Sequence, residues 1–488
     1  MPLPRFRLRW IGFALGVAAS PVLTWLVVDV VVRHQLDQAR EAFAREGFPN
    51  TPEEITPAPP SDDDNAVPLL TEIDRHLDEP DPTPLPAKAP STSTEANDLF
   101  QALPNPARPA RLRDRADRIV DLALEHLPSP PTTDVPADDV LIELRALFDA
   151  PALNDLLALV ETASNRPRFA PAIDFAEGPG IQLEHIGTIR DLVRLLNARA
   201  ALGLHSGAEV DVIWKDILTA ERLGRLAAEV PTLINMLTSL ACSGINRRTM
   251  VDALSAGALP TRDADVLAHL MAYPSDTDES FARAVAGERI LFLDWMTRWL
   301  AKARDAGSDE REKIARNFEL SRLVERFPFP VQRTWIEMRL ARNYRAHLDL
   351  EQVLRDEPRD RWIPELRRIA APLKDDPLSV VIPIYSKIVI TELAERSSRA
   401  AVTIAFAASA HRRDTGAWPA SIEELGLPPA FAIDPCSGHP MHYVPSDDGL
   451  LVYADGPDAK DDGGRDWLSG TDRSIEDGDI VVELKLSR

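Results

Sequence analysis

From residue 10 to residue 32 the chain is apolar at every position except Ser20, Thr24 and Asp29. At about 1.5 Å per residue, a helix of that length reaches about 34 Å, enough to cross a bilayer. Gly12, Gly16 and Pro21 are tolerated in a membrane helix, and Asp29 stands near one end, where the interface hydrates it. Arg5, Arg7 and Arg9 precede the run. The pattern predicts an uncleaved single-pass anchor at 10–32, with 1–9 cytoplasmic and everything downstream outside. A cleaved signal peptide is the competing reading, but the run is longer than a usual signal core and Pro21 follows the best small-residue site, Ala18-Ala19-Ser20. A buried helix of a soluble protein is the third.

Polar residues then surround few apolar ones over 33–48, a juxtamembrane helix. Residues 49–110 change character, with Pro57-Ala58-Pro59-Pro60, Asp62-Asp63-Asp64-Asn65, Pro80-Asp81-Pro82-Thr83-Pro84 and Ser91-Thr92-Ser93-Thr94. Such a stretch buries too little apolar surface to offset its ordering entropy. It reads as a Pro-rich, semi-extended spacer, with one short helix at 66–77.

Helical periodicity returns over 111–376. Ile189, Leu192, Val193, Leu196 and Ala200 share one helix face, as do Ile213, Ile217, Ala220 and Gly224. Phe292, Trp295, Met296 and Trp299 form a third stripe and Ile336, Leu340 and Tyr344 a fourth; these aromatics are expected in the core. Breaks at 206–207, 230–231, 257–260 and 273–274 divide the region into helical hairpins. The stretch 190–234 loosely resembles a tetratricopeptide hairpin, without a recurring 34-residue period. Glu288-Arg289 is expected to be a solvated pair, with a buried ion pair that holds helix register as the alternative.

The last region, 377–488, opens on a second apolar run, 378–390, too short and interrupted for a membrane span. With Ala401, Ile404, Ala405 and Ala408 at helical spacing, it predicts a long helix that packs one face. Strands are expected at 441–444, 450–453 and 480–486, the first two joined by the turn 445–449. The fold class is therefore mostly α: an anchor, a linker, a helical-hairpin body and a small α+β C-terminal domain.

The order of motifs in this tail resembles the soluble head of the major pseudopilins of type II secretion. His411-Arg412-Arg413-Asp414-Thr415-Gly416-Ala417-Trp418-Pro419 is similar to that family's helix end, with the glycine as a left-handed cap. Asp434-Pro435 through His442-Tyr443 is similar to its aspartate-proline segment. Gly456-Pro457-Asp458 through Gly463-Gly464, closing at Asp479-Ile480, is similar to its calcium loop. The resemblance implies calcium at Asp458 and Asp479. Independently, aspartates 455, 458, 461, 462, 466, 472, 477 and 479 crowd one short stretch, which adds Asp455 and Asp462 as candidate ligands for a hard cation; a merely solvated acidic loop is the alternative. No EF-hand register fits.

The chain departs from the family. The fifth position after the candidate cut at Gly12-Phe13 is Val17 rather than glutamate, and over three hundred residues separate the membrane helix from the head. It is not expected to enter a pilus as a subunit. The layout also resembles a group of N-terminally anchored bacterial envelope proteins in which an asparagine-alanine pair, here Asn65-Ala66, precedes a helical body and a similar tail. That group implies no particular activity.

Length and charge narrow the function. A chain of 488 residues suggests about three units. A formal net charge of −22 argues against nucleic acid as a partner. Two cysteines, Cys242 and Cys436, exclude a zinc ribbon and leave a disulfide or two thiols open. No phosphate loop follows Gly178-Pro179-Gly180, and His185, His205, His269 and His347 show no metal-ligand spacing. The expected function is non-catalytic: an inner-membrane-anchored, extracytoplasmic protein that binds other envelope proteins as a secretion or surface-assembly component, with no small-molecule substrate identified. A structural cation-binding stalk is the alternative. A hydrolase using Cys436 and His439 is a third reading, since a thiolate beside a histidine can act as a nucleophile.

Overall fold

Why a chain so rich in helix ends in a sheet is visible in how one helix is enclosed. The computed structural model describes residues 5–56, 60–83, 85, 110–127, 138–303, 329–373, 381–466 and 478–485; within these, the side chains of 5–23, 138, 273–278, 303, 329–330 and 381–384 fall outside the described set. The helices are α1 (Arg5–Arg45), α2 (Pro52–Ile55), α3 (Val67–Asp78), α4 (Leu112–His126), α5 (Asp138–Phe148), α6 (Pro151–Ser164), α7 (His185–Ser206), α8 (Val210–Ala227), α9 (Leu233–Ser255), α10 (Asp263–Arg289), α11 (Trp295–Ala303), α12 (Phe329–Asp356), α13 (Arg359–Ala370) and α14 (Val381–Thr415). Strands β1 (His442–Ser446), β2 (Gly449–Ala454) and β3 (Ile480–Lys485) form one antiparallel sheet in sequence order. The fold is mostly helical with this small sheet at its C-terminal end.

The four predicted stripes face the core, with Phe292, Trp295 and Trp299 of the third partly buried against it. Ile189, Leu192, Val193, Leu196 and Ala200 are all buried, as are Ile213, Ile217 and Ala220, and Met296, Leu340 and Tyr344 anchor the aromatic cluster. One core gathers α3 to α7 with part of α8; a second runs from α8, α9 and α10 through α13 and α14 into the sheet. Helix α14 packs on more than the one face expected of it. The body takes one side and the sheet the other, so Leu393 through Ala408 is buried on all sides. That is why this helix is rich in Ala, Val and Ile all round rather than amphipathic.

Its buried charges are paired. Arg396 donates to Glu392 at 2.7 Å, and Arg399 donates to Glu221 of α8 at 2.6 Å. Burial alone would raise the Glu221 carboxyl, but Arg399 and Asn246 hold it below its ordinary value. Arg289 does not pair with Glu288 in solvent: it is fully buried and bonds Glu351 of α12 at 2.8 Å. The expected solvated pair fails because the apolar face around Ile290 and Leu293 carries Arg289 inward, where only a distant carboxylate can neutralise it.

Part of the Pro-rich spacer folds onto the body. Leu70, Ile73 and Leu77 of α3 are buried at helical spacing. Asn65 Oδ1 accepts from the amides of Val67 and Ala170, while the Ala66 amide donates to Arg168 O at 2.9 Å, so the asparagine-alanine pair pins the spacer to the body. Further on, Asp81 accepts from the fully buried Arg115 at 2.6 Å. Residues 86–109 of the spacer lie outside the described residues.

Helix α1 is continuous through the predicted boundary at 32–33, and its second half lies alongside α12. Among the described residues no helix is long and apolar enough to cross a membrane; the predicted anchor at 10–32 falls mostly where side chains are outside that set.

Candidate functional site

The chemistry-bearing residues of the tail gather where the sheet meets the loops that follow α14. Two buried carboxylates organise this region. Asp434 accepts from Ser397 Oγ of α14 at 2.5 Å, from the amides of Cys436, Ser437 and Gly456, and from Ser437 Oγ at 2.7 Å. The aspartate-proline motif is thus a clasp between the long helix, its own turn and the start of the glycine loop. Asp479 accepts from the amides of Asp462 at 3.1 Å and Gly464 at 2.6 Å. Gly463 and Gly464 adopt positive φ there, and a Cβ on Gly464 would lie 2.8 Å from Leu451 Cδ2, so glycine is needed for the loop to close on the sheet.

Antiparallel register sets the third carboxylate among histidines. His442 opens β1 opposite Tyr453 of β2, and the two rings stack at 4.3 Å. Asp455 follows β2 directly and is buried, with Oδ1 2.8 Å from His442 Nε2 and Oδ2 2.6 Å from His439 Nδ1. Asp461 completes a group in which one ligand atom each from His442, Asp455 and Asp461 lies within 4.8 Å of the others. Burial raises the Tyr453 phenol above its usual value, and the Asp461 carboxylate adds to that. Nearby Ala459 has a φ of 56°, a left-handed conformation that costs a non-glycine residue about 1 kcal/mol.

The four aspartates expected to hold calcium do not form one shell. Asp455 faces two histidines, Asp479 is taken by two amides, and Asp458 accepts from the Lys460 amide and ammonium, each at 3.2 Å. Asp462 is exposed, and its amide serves Asp479. A hard cation that needs six to eight converging oxygens is not fitted by this arrangement. A nitrogen-and-carboxylate set such as His442, Asp455 and Asp461 suits a borderline ion of the zinc class better. Asp472 and Asp477 lie outside the described residues.

Cys436 and His439 do not pair with each other. Cys436 is buried, and burial with the Asp434 charge pushes its thiol well above the usual range. Its sulfur lies 3.5 Å from Ser397 Oγ, while His439 turns to Asp455. Cys242 is likewise a buried free thiol, pushed up to about 12 by burial. Among the scattered histidines, His185 bonds Asn235 and His347 bonds the Asn343 carbonyl. Burial lowers His185 and His269 to about 4 and His347 to about 3, which keeps all three neutral near pH 7.

No protein-family model, curated protein or solved structure matches the chain.

Proposed function

We propose that the protein is a non-catalytic, N-terminally anchored envelope component. In this reading the 10–32 segment crosses the inner membrane once, and a rigid helical body outside it carries a pseudopilin-like head that meets other envelope proteins. The observation that carries the reading is the two-faced stem. On α1, Asp29, Val32, Leu36, Ala39 and Phe43 recur at three- and four-residue spacing and are buried against the body. Between and before them, Leu26, Val27, Val28, Val30 and Val31 are exposed, Val30 at 66%. A band of bare valines continuing an apolar run is costly in water and at home in lipid. Asp29 is turned away from that band: Arg33 pairs with it, Thr334 of α12 donates to it at 2.6 Å, and Arg333 donates at 3.2 Å.

Stem and body are therefore packed along each other. Asp29 meets Thr334 while Arg355 reaches the Glu46 carbonyl, so α1 and α12 run in parallel. The pseudopilin likeness of the head is supported by the long helix followed by a three-stranded meander, and by Asp434 and Asp479 clasping the two segments that carry the resemblance.

The test is topology. In intact cells, Ser446→Cys on the sheet should react with a membrane-impermeant maleimide, since both native thiols are buried. The full chain should sediment with membranes after alkaline washing, and deletion of residues 1–25 should release it. Labelling only after lysis, or a full chain that washes off, would overturn the reading.

A second reading, that the head also takes a divalent cation of the zinc class, is favoured by His442, Asp455 and Asp461. The ion would replace the proton shared by His442 Nε2 and Asp455 Oδ1, fastening β1 to the glycine loop.

A further inference from the structure

Five arginines from three separate stretches meet around one recess of about 450 Å³ on the helical body. Arg166 and Arg168 follow the end of α6, Arg222 and Arg225 lie on the last turns of α8, and Arg283 comes from α10. Two carboxylates share the wall, Glu229 and Glu279, and Glu229 already accepts from Arg168 at 3.0 Å. Arg222 donates to Thr219 Oγ1 at 3.3 Å and Arg283 to Ser280 Oγ at 3.5 Å, long bonds to hydroxyls on their own helices. The Nε atoms of Arg166, Arg222 and Arg283 are buried and meet no acceptor. Burial also lowers Arg222 from its usual value, against the pull of Glu161.

An anion held among these gathered cations would offset their mutual repulsion. Partly desolvated guanidinium groups repel one another, and a buried N–H without an acceptor is unfavourable. Helix ends explain part of the cluster, because Arg222 and Arg225 stand near the free carbonyls of the α8 C-terminus. They explain Arg166 too, two residues past the end of α6, but not Arg283, which is inside α10. The rest of the protein argues against a diffuse basic surface: with a net charge of −22, the chain repels anions everywhere except where cations are concentrated.

We propose that this recess binds a phosphoryl group, either free phosphate or the phosphate of a small phosphomonoester. One arginine fork satisfies a planar carboxylate, whereas forks arriving from several directions match a tetrahedral anion with three or four oxygens. The volume falls in the range of small-molecule sites and leaves room for an organic group beside the anion.

Calorimetry on the purified full chain in detergent at low salt would test this, with inorganic phosphate, glucose 6-phosphate and glucose as probes. Saturable binding of phosphate with Kd of about 1 mM or below is expected, and none of glucose. Glucose 6-phosphate binding roughly tenfold tighter would identify a phosphomonoester as the ligand, and equal binding would identify the free anion. The Arg222→Gln, Arg283→Gln double variant should lose tenfold or more, while Arg361→Gln on the exposed face of α13 should bind as the parent does. Asn165→Glu keeps every arginine and sets a negative charge on the rim, so it should weaken binding even if the double variant misfolds. Absence of saturable phosphate binding, or binding unaffected by Asn165→Glu and by the folded double variant, would overturn the proposal.

Discussion

The acidic loop after β2 and the arginine recess on the body carry opposite charges and use them in opposite ways. The loop is dense in charge along the chain, yet its carboxylates are spent locally: Asp479 on two amides, Asp458 on Lys460, Asp455 on two histidines. The recess is sparse along the chain, with cations drawn from residues 166 to 283, yet they converge in space and several N–H groups are left without acceptors. Charge density in sequence is therefore a poor guide to where a ligand goes. What matters is whether the polar atoms are already satisfied, because a satisfied carboxylate is structure and an unsatisfied guanidinium is an invitation.

The largest expected effect tests the first half of that contrast. If the tail's carboxylates are internal acceptors, Asp434→Ala strands Ser437 Oγ and three amides at once, while Ser397 Oγ falls back on the Leu393 carbonyl. A loss of about 3–5 kcal/mol is expected, read as a shift of the urea midpoint. Asp479→Ala, which strands two loop amides, should cost about half as much. Stability within about 0.5 kcal/mol of the parent for Asp434→Ala would mean that the motif is not a clasp.

On the arginine side the lever is pH. His269 is held neutral by burial, and Arg225, Arg222 and Arg399 push it further down while Glu221 pulls the other way, for a value of about 4. Its unfolded value is near 6.5, so between those limits the unfolded chain binds the extra proton. The contribution of this group is complete above pH 6.5 and is lost as pH falls toward 4, by about 1.4 kcal/mol per unit at most. His269→Gln should flatten the melting-temperature profile between pH 6.5 and 4 relative to the parent. An unchanged slope would show that His269 is not held neutral in the folded chain.

How far the chain announced these features depends on the distance between partners. The stripes at 189–200 and 336–344 are local periodicities, and the strands at 442–446 and 449–454 are two apolar runs across one turn, so both were readable. The helix end at Thr415 and the glycine-rich loop were readable for the same reason. Asp29 with Thr334, Arg289 with Glu351 and Arg399 with Glu221 join residues far apart in sequence, and nothing in local spacing names the partner. Gly287 shows the same limit. A Cβ there would lie 1.8 Å from the Pro231 carbonyl oxygen, a close approach of α10 to the α8–α9 turn that no periodicity marks. In the head, the local signal lay in His439, His442 and the acidic loop, but which acids faced the histidines depended on the strand register.

A smaller effect separates His442, Asp455 and Asp461 from the satisfied carboxylates around them. Zinc should raise the melting temperature of the full chain, by the equivalent of about 1.4 kcal/mol at ten times its Kd, and His442→Ala should abolish the rise. Equal rises in parent and variant would place the ion elsewhere, and no rise in either would leave Asp455 as an ordinary partner of two histidines.

The smallest effect is the most discriminating for the acidic loop. Asp458 carries the resemblance to a calcium ligand, but its two contacts are both with Lys460, two residues on. A local turn of that kind is replaced by water when the carboxylate is removed. Asp458→Ala should therefore change stability by no more than about 0.5 kcal/mol, and millimolar calcium should leave the melting temperature of parent and variant alike unchanged. A calcium-dependent rise present in the parent and lost in Asp458→Ala would require the loop to rearrange. Asp479 would have to release the Asp462 and Gly464 amides before its oxygens could face an ion, and that release would show as new hydrogen exchange at those two amides when calcium is added.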